Sequence, residues 1–185
     1  MSEVEWLRIA KLNFARLQVM TPAQKWRHWL LDLVDAPYVW GKENPLETDC
    51  SGTVCFALWM MGYNIRTTAD RLYRAVFTKP LLTLGDLDIL GAIFYLRDGA
   101  AKHVTPLVGQ ESLLDASGKD GLVIIKPARK VFEQRLADGY QVRWQQIDWE
   151  ATKKLSASGS EAWDVDPVLT REQGEGSCDY RISRS

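Results

Sequence analysis

The chain of 185 residues carries 23 basic and 24 acidic side chains, a formal net charge of -1, and 46% of its residues are hydrophobic. This length suits one domain with a core and an appendage, and the balanced charge gives no general reason to expect nucleic acid or an anionic membrane as a partner. Three cysteines are too few for a disulfide framework, and no cysteine or histidine cluster has metal-ligand spacing. We therefore expect reduced thiols, no metal and no cofactor.

The first residues give no targeting signal. Residues 1–6 lack the basic region and apolar run of a signal peptide, and no window reaches the roughly 18 apolar residues of a membrane span. We expect a chain synthesised in the cytoplasm without a membrane span, which something other than an N-terminal signal must deliver if it acts elsewhere. The sequence does not indicate an oligomeric state.

Apolar residues at helical intervals predict an amphipathic helix over residues 3–19 and a second helix over residues 21–35. A Thr-Pro pair starts the second helix, and an Ala-Pro pair at residues 36–37 ends it. A short extended segment at residues 38–41 and a polar loop at residues 42–47 follow. The helices are interpreted as packing elements.

The next predicted helix begins at a cysteine. Thr48 or Asp49 is a suitable N-cap, and Gly62 is a suitable stop. The helix carries an apolar stripe of Val54, Cys55, Leu58 and Met61. Cys50 would lie at the positive end of the helix dipole, which favours the thiolate that a nucleophile needs. The alternative interpretation, a small buried core residue, stays open at this point.

The periodicity then changes from helical to extended. A short helix is predicted over residues 69–77, and it is followed by β-rich segments bounded by turn residues. These segments lie at residues 91–96, 103–108, 112–117, 121–127 and 140–147. Short strands at this spacing predict an antiparallel meander, and helices followed by strands are typical of the α+β class.

Apolar density falls after Trp149, and the sequence there contains runs rich in Ser and Gly. We expect three parts: a helical extension at residues 1–20, a domain at residues 21–150 and a weakly packed tail at residues 151–185. No internal repeat is evident.

A nucleophilic cysteine needs a base, and the chain has two histidines. His28, with no acidic or cysteine partner nearby in sequence, is interpreted as a surface or packing residue. His103 opens a predicted strand, and a turn at residues 109–110 would place Asp115 opposite it, with Cβ atoms roughly 4.5–5.5 Å apart. Asp115 could then accept the imidazole N–H and fix its tautomer. A register shift of one residue would instead leave Asp115 on the other face.

Two short motifs resemble the signature of the NlpC/P60 family of cysteine peptidases. They are residues 38–41 (Tyr-Val-Trp-Gly) and residues 49–52 (Asp-Cys-Ser-Gly). The segments at residues 91–94, 103–104 and 114–117 are similar to that family's later strands in their order. The resemblance covers about residues 20–130 and would make residues 21–150 the catalytic domain.

The resemblance implies a papain-like α+β fold, with the cysteine on a helix packed against an antiparallel sheet that carries the histidine. It implies hydrolysis of an amide in the stem peptides of bacterial peptidoglycan, commonly the γ-D-glutamyl–diamino acid bond. The matching positions are Cys50 for the nucleophile, His103 for the base, Asp115 for the orienting residue, and Tyr38, Asp49 and Ser51 for the substrate groove. No metal or cofactor is implied, and delivery to the wall or periplasm would fall to a phage or a secretion system.

Three positions depart from the family pattern. Asp115 stands where histidine is more common, residues 105–106 (Thr-Pro) replace a glycine and an aliphatic residue, and Lys42 replaces a second glycine. Two alternatives to hydrolysis stay open. One is acyl transfer, or amidase activity on another substrate, by the same thiol. The other is a catalytically silent structural or binding module of a phage or secretion apparatus, which would not need all three residues of the site.

Overall fold

The structure, a computed structural model, describes residue 5 and residues 11–12, 15–81 and 90–158. Five helices of the domain are α1 (Pro22–Leu31), α2 (Cys50–Met60), α3 (Ala69–Ala75), α4 (Ala128–Ala137) and α5 (Trp149–Ser158). The strands are β1 (Glu43–Asn44), β2 (Glu47–Thr48), β3 (Lys79–Pro80), β4 (Gly91–Arg97), β5 (Ala100–Pro106), β6 (Ser112–Ser117), β7 (Leu122–Pro127) and β8 (Gln141–Gln146). Among the described residues, no helix has the length and apolar character needed to cross a bilayer.

The helices near the N-terminus follow the sequence closely. Residues 15–19 are helical, and most of the remaining predicted helix over residues 3–19 lies outside the described residues. Helix α1 begins with a capping box in which Thr21 and Gln24 exchange hydrogen bonds. It ends at Leu31, four residues earlier than predicted, because residues 32–35 form turns and Asp35 adopts a left-handed φ of 68°.

The strands form an antiparallel α+β arrangement, which confirms the predicted fold class. The main sheet has the order β3-β8-β4-β5, and β6 pairs with β7 in a separate two-stranded sheet. The predicted meander is therefore interrupted, because Leu107, the residue after β5, forms an isolated bridge with Leu113 of β6 instead of a continuous ladder between the two strands. Strand β8 is inserted between β3 and β4.

Helix α2 lies at the centre of the core. Every residue from Gly52 to Leu58 is buried, so α2 is buried on all its faces there and not on one apolar stripe as predicted. The cause is packing from several sides, since α1 contacts one part of α2 and strands β5 and β6 contact another. Gly62, with a φ of 93°, follows the end of α2 as predicted.

Two helices near the end of the domain were not predicted. Helix α4 buries only Ala128 and Val131, too short an apolar pattern to stand out in the sequence. Helix α5 crosses the expected domain boundary at residue 150. Its Thr152 is fully buried, and the ring of Trp149 lies 5.3 Å from the ring of Tyr63. The remainder of the expected tail, residues 159–185, lies outside the described residues.

A close backbone approach places the loop before α2. The carbonyl oxygen of Lys42 and the hydroxyl of Thr48 lie against Gly52, and Thr48 Oγ1 donates a hydrogen bond to that carbonyl. A Cβ on Gly52 would overlap the carbonyl oxygen and lie 2.6 Å from Thr48 Oγ1. Glycine is therefore required at this position by packing.

We expect Gly52→Ala to lower the free energy of unfolding by about 1–3 kcal/mol, because the added methyl group must displace the loop backbone. Alanine has the higher helix propensity, so a loss would oppose the intrinsic trend. Urea unfolding measures the change. Gly109→Ala is the control, since a Cβ there meets the Cβ of Ser112 at an ordinary 3.5 Å. Equal stability of Gly52→Ala and the wild type would contradict the close approach.

Candidate active site

The side chain of Asp49 joins the two sequence motifs. Its Oδ1 accepts hydrogen bonds from the Gly52 N–H at 2.7 Å and from the Ser51 hydroxyl at 2.9 Å. Its Oδ2 accepts from the Gly41 N–H at 2.6 Å. Asp49 thus caps α2 and also holds the end of the extended segment at residues 38–41. The choice of Asp49 over Thr48 as N-cap is settled by these contacts.

Cys50 is the first residue of α2 and is buried. The first backbone N–H groups of a helix have no partner within the helix and mark its positive end, which favours a thiolate at this position. The Thr53 hydroxyl donates to the Cys50 carbonyl oxygen at 2.8 Å and tightens this first turn. Helix α2 packs against β5 and β6, the strands that carry His103 and Asp115.

His103 and Asp115 form a buried hydrogen-bonded pair. The distance between His103 Nε2 and Asp115 Oδ1 is 2.8 Å, and each residue is 1% exposed. An ionised carboxylate can only accept, so Nε2 carries the hydrogen of this bond when Asp115 is charged. Nδ1 of His103 is buried and makes no hydrogen bond to the described residues. In neutral imidazole, Nδ1 is then the nitrogen that can take a proton.

The two side chains meet by a different route from the one predicted. His103 lies opposite Tyr95 in the β4–β5 ladder, and Asp115 lies opposite Ile124 in the β6–β7 ladder. The bridge between β5 and β6 also differs in register from the one expected around residues 109–110. The contact therefore spans the junction between two sheets, and the predicted direct opposition within one ladder is wrong.

A lysine lies on the other side of Asp115. Lys126 Nζ is 2.6 Å from Asp115 Oδ2 and 2.6 Å from Asp120 Oδ2. Burial acts to raise the pKa of Asp115, but hydrogen bonds and charge attraction from His103 and Lys126 outweigh it, and the pKa is held well below its usual range. Asp115 is therefore a carboxylate at neutral pH. Burial acts to lower the pKa of Lys126, but both carboxylates together raise it.

The sequence profile of the NlpC/P60 family matches residues 35–141, more than half of the chain. The chain belongs to the NlpC/P60 family. This result confirms the resemblance seen in the two motifs, and the family is one of cysteine peptidases. No curated protein sequence matches the chain.

Solved NlpC/P60 structures share the fold. The P60 domain of an antigen from M. avium subspecies paratuberculosis is 23% identical, with a TM-score of 0.53 over 69% of this chain and 96% of that chain. The NlpC/P60 domain of the peptidoglycan hydrolase SagA is 17% identical, with a TM-score of 0.50 over 67% and 97%. NlpC2 from Trichomonas vaginalis is 22% identical, with a TM-score of 0.50 over 68% and 44%. This chain thus spans less than half of the Trichomonas chain.

The NlpC/P60 domain places the predicted groove residues around the start of α2. Tyr38 is half-buried, its backbone is bridged to Thr48, and its ring lies beside Gly118. Ser51 is half-buried and bonded to Asp49. His28 lies elsewhere, on α1, with its Nε2 3.9 Å from the Asp32 carboxylate. The expectation that His28 has no acidic neighbour overlooked this residue one helical turn away.

The family departure at residues 105–106 has a structural explanation. Strand β5 is an edge of the main sheet, a position where proline is tolerated, and Pro106 ends the strand. The Thr105 hydroxyl lies 3.1 Å from the hydroxyl of Tyr95, whose ring is 5.7 Å from the imidazole of His103. Burial raises the pKa of Tyr95, so it stays neutral.

Two residues beside the pair were missed in the sequence, Lys126 and Tyr95. Lys126 was detectable in principle, since it lies two residues beyond Ile124, the β7 partner of Asp115, and diagonal neighbours on one face are within reach of long side chains. Tyr95 carried no signal, because it lies within a continuous apolar run. Among the described residues, no three His, Cys, Asp or Glu side chains are grouped to hold a metal ion.

We expect a small alkylating reagent near neutral pH to modify Cys50 and not Cys55. Burial raises the pKa of Cys55 to about 12, and its side chain is enclosed in the core. The measurement is peptide mass analysis after brief iodoacetamide treatment of a Cys178→Ser variant, which retains only these two thiols. Labelling in guanidinium, where both must react, is the control. Equal labelling in the folded protein would show that Cys50 is not activated.

We expect Asp115→Asn to lower the free energy of unfolding at pH 7 by roughly 2–4 kcal/mol, because the Lys126 ammonium loses its buried counter-charge. The folded-state pKa of Asp115 is lowered, so its contribution is complete above the ordinary value of 3.8 and is lost as pH falls through the folded-state value. The difference from wild type should therefore shrink between pH 5 and pH 2, as roughly expected for such a carboxyl.

The measurement is urea unfolding at several pH values. Asp98→Asn, an exposed aspartate, removes the same charge and is the control. A difference between Asp115→Asn and wild type that stayed constant with pH would mean that the ionised carboxylate does not stabilise the fold.

Proposed function

We propose that this protein is a cysteine peptidase that hydrolyses an amide bond in the stem peptides of peptidoglycan, with Cys50 as nucleophile, His103 as base and Asp115 as orienting residue. The observation that carries the proposal is the His103 imidazole, bonded through Nε2 to a buried carboxylate, on a strand packed against the helix that begins at Cys50. Family membership and the likeness to the hydrolase SagA support the same class of substrate.

The first half of the reaction forms an acyl-enzyme. His103 Nδ1 takes the proton of the Cys50 thiol, and the resulting thiolate attacks the carbonyl carbon of the scissile amide, so that the S–C bond forms as the carbonyl becomes an oxyanion. The backbone N–H of Cys50, at the positive end of α2, donates to that oxyanion. His103 then gives the proton on Nδ1 to the departing amine as the C–N bond breaks.

The second half regenerates the enzyme. A water molecule attacks the thioester while Nδ1 of His103 takes one of its protons; the S–C bond then breaks, the peptide leaves as a free acid, and the Cys50 thiolate is left beside protonated His103. The hydrogen bond from His103 Nε2 to Asp115 keeps the same ring nitrogen directed at the reacting atoms in both halves. Asp115 stabilises the imidazolium without itself accepting the proton, which its lowered pKa disfavours.

The groove residues of the proposal are Tyr38, Asp49 and Ser51, which hold polar ends of the peptide. Three hydrogen bonds from the chain occupy the Asp49 carboxylate, and a carboxylate offers about four acceptor sites, so one remains for a substrate donor. The γ-D-glutamyl–diamino acid bond is the scissile bond that we propose. The catalytic unit begins at residue 21 and, because α5 packs on it, extends to residue 158.

The test is incubation with purified peptidoglycan and mass analysis of the released fragments. We expect new free carboxyl and amine termini at the γ-D-glutamyl bond, and a loss of roughly 10³-fold or more in rate for Cys50→Ala and for His103→Ala. His28→Ala, which removes a partly exposed imidazole that lies beside Asp32 on α1, is the matched control and should retain the wild-type rate.

Each other outcome counts against the proposal. Release of an amide or ester in the presence of amine or alcohol acceptors would assign acyl transfer. Binding without release by folded wild-type protein would assign a silent module. Full activity of Cys50→Ala would remove the nucleophile from the mechanism.

A further inference from the structure

The proposed mechanism uses one oxygen of Asp115 and leaves the other to Lys126. Oδ1 accepts from His103 at 2.8 Å, and Oδ2 accepts from Lys126 at 2.6 Å. The side chain of Asp115 is 2% exposed and that of Lys126 is 25% exposed. A carboxylate held at both oxygens cannot rotate about its last bond without losing a charge-assisted hydrogen bond.

Lys126 is itself held in place. Its Nζ also donates to Asp120 Oδ2 at 2.6 Å, so the ammonium lies between two carboxylates. Asp120 lies in the turn between β6 and β7, and Lys126 lies on β7, so the whole arrangement belongs to the two-stranded sheet. The long lysine stem is therefore fixed at its end, unlike most exposed lysines.

We propose that Lys126 is a positioning residue for the Cys50–His103 pair: it locks the Asp115 carboxylate in the plane that faces His103 and offsets part of its attraction for the imidazolium. The inference rests on the proposed function and goes beyond it, since the catalytic roles proposed above involve Cys50, His103 and Asp115 and give none to Lys126. A buried aspartate alone would hold the imidazolium strongly, and a cation on its far side weakens that hold.

The charged and titratable groups around His103 come from several elements. They are Cys50 on α2, Asp70 on α3, Tyr95 on β4, Asp115 on β6, Asp120 in the β6–β7 turn, Lys126 on β7 and Arg135 on α4. Asp70 is engaged with Arg74 and the Ala101 N–H, and the Arg135 guanidinium lies over the Tyr95 ring. Lys126 is thus the cation in direct contact with the carboxylate that orients His103.

Removal of the Lys126 charge should change the protonation of His103 in a predictable direction. Without the positive charge, Asp115 favours the imidazolium more strongly, so His103 should keep its proton to higher pH. A purely structural salt bridge would change stability without moving this titration. Lys126→Arg keeps the charge and the donors, whereas Lys126→Met removes both and Lys126→Gln removes the charge alone.

The experiment is an NMR titration of the imidazoles in protein labelled at histidine, in the Cys50→Ala background so that thiol ionisation does not interfere. The chain has only two histidines, and His28 is an internal reference. We expect the His103 titration midpoint to rise by roughly 0.5–1 pH unit in Lys126→Met and Lys126→Gln, and to stay within about 0.2 unit in Lys126→Arg. Lys130→Met, an exposed lysine on α4, is the control for net charge.

A midpoint in Lys126→Gln that moves no further than in Lys130→Met would overturn the proposal, and Lys126→Gln decides the matter if Lys126→Met does not fold. In the enzyme with Cys50 intact, the alkaline limb of the profile of turnover against pH should move to higher pH by the same amount as the His103 midpoint. Because the NMR titration needs no turnover, a shifted midpoint in a protein without peptidase activity would reject the proposed function and support the role of Lys126.

Discussion

The capping carboxylate of Asp49 is the constraint that positions the first turn of α2, where Cys50 lies. It accepts a hydrogen bond from the Gly52 N–H in the first turn of α2 and another from the Gly41 N–H, so the position of α2 relative to the extended segment before it is fixed. The same segment runs beside β7, where the Tyr38 N–H donates to the Gly121 carbonyl at 2.8 Å. The Asp49 side chain thereby links the start of α2 to the segment at residues 38–41, and the backbone of Tyr38 links that segment to the sheet that carries Asp115.

Charge burial is the second organising feature. His103 and Asp115 are both 1% exposed, and placing a carboxylate at that depth is costly unless it is fully bonded. The structure meets this requirement with donors on both sides, an imidazole from the main sheet and an ammonium from β7. The result is an aspartate that is ionised at neutral pH, which suits the proposed role of stabilising an imidazolium without taking its proton.

Local signals in the sequence predicted most of the fold and the contact between His103 and Asp115, although not the register that produces it. The capping pattern around residues 48–52 and the turn residues bounding residues 91–127 are strong because each acts within a few positions. The register between β5 and β6 was not predictable, since it depends on how two sheets meet. Helices α4 and α5 escaped notice because they bury few residues each. Lys126 was missed because lysine on a strand is usually solvated.

The division of the site between two sheets has a consequence for how activity fails. Strands β6 and β7 pair with each other in a separate two-stranded sheet, so the position of Asp115 relative to His103 depends on core packing of Leu113, Leu114 and Val123, each 0% exposed. A change that loosened this packing would displace Asp115 from His103 even if the two strands stayed paired. Under the proposed function, such a change would leave the Cys50 thiol in place with an undirected imidazole, so peptidase activity would be lost before the helical signal.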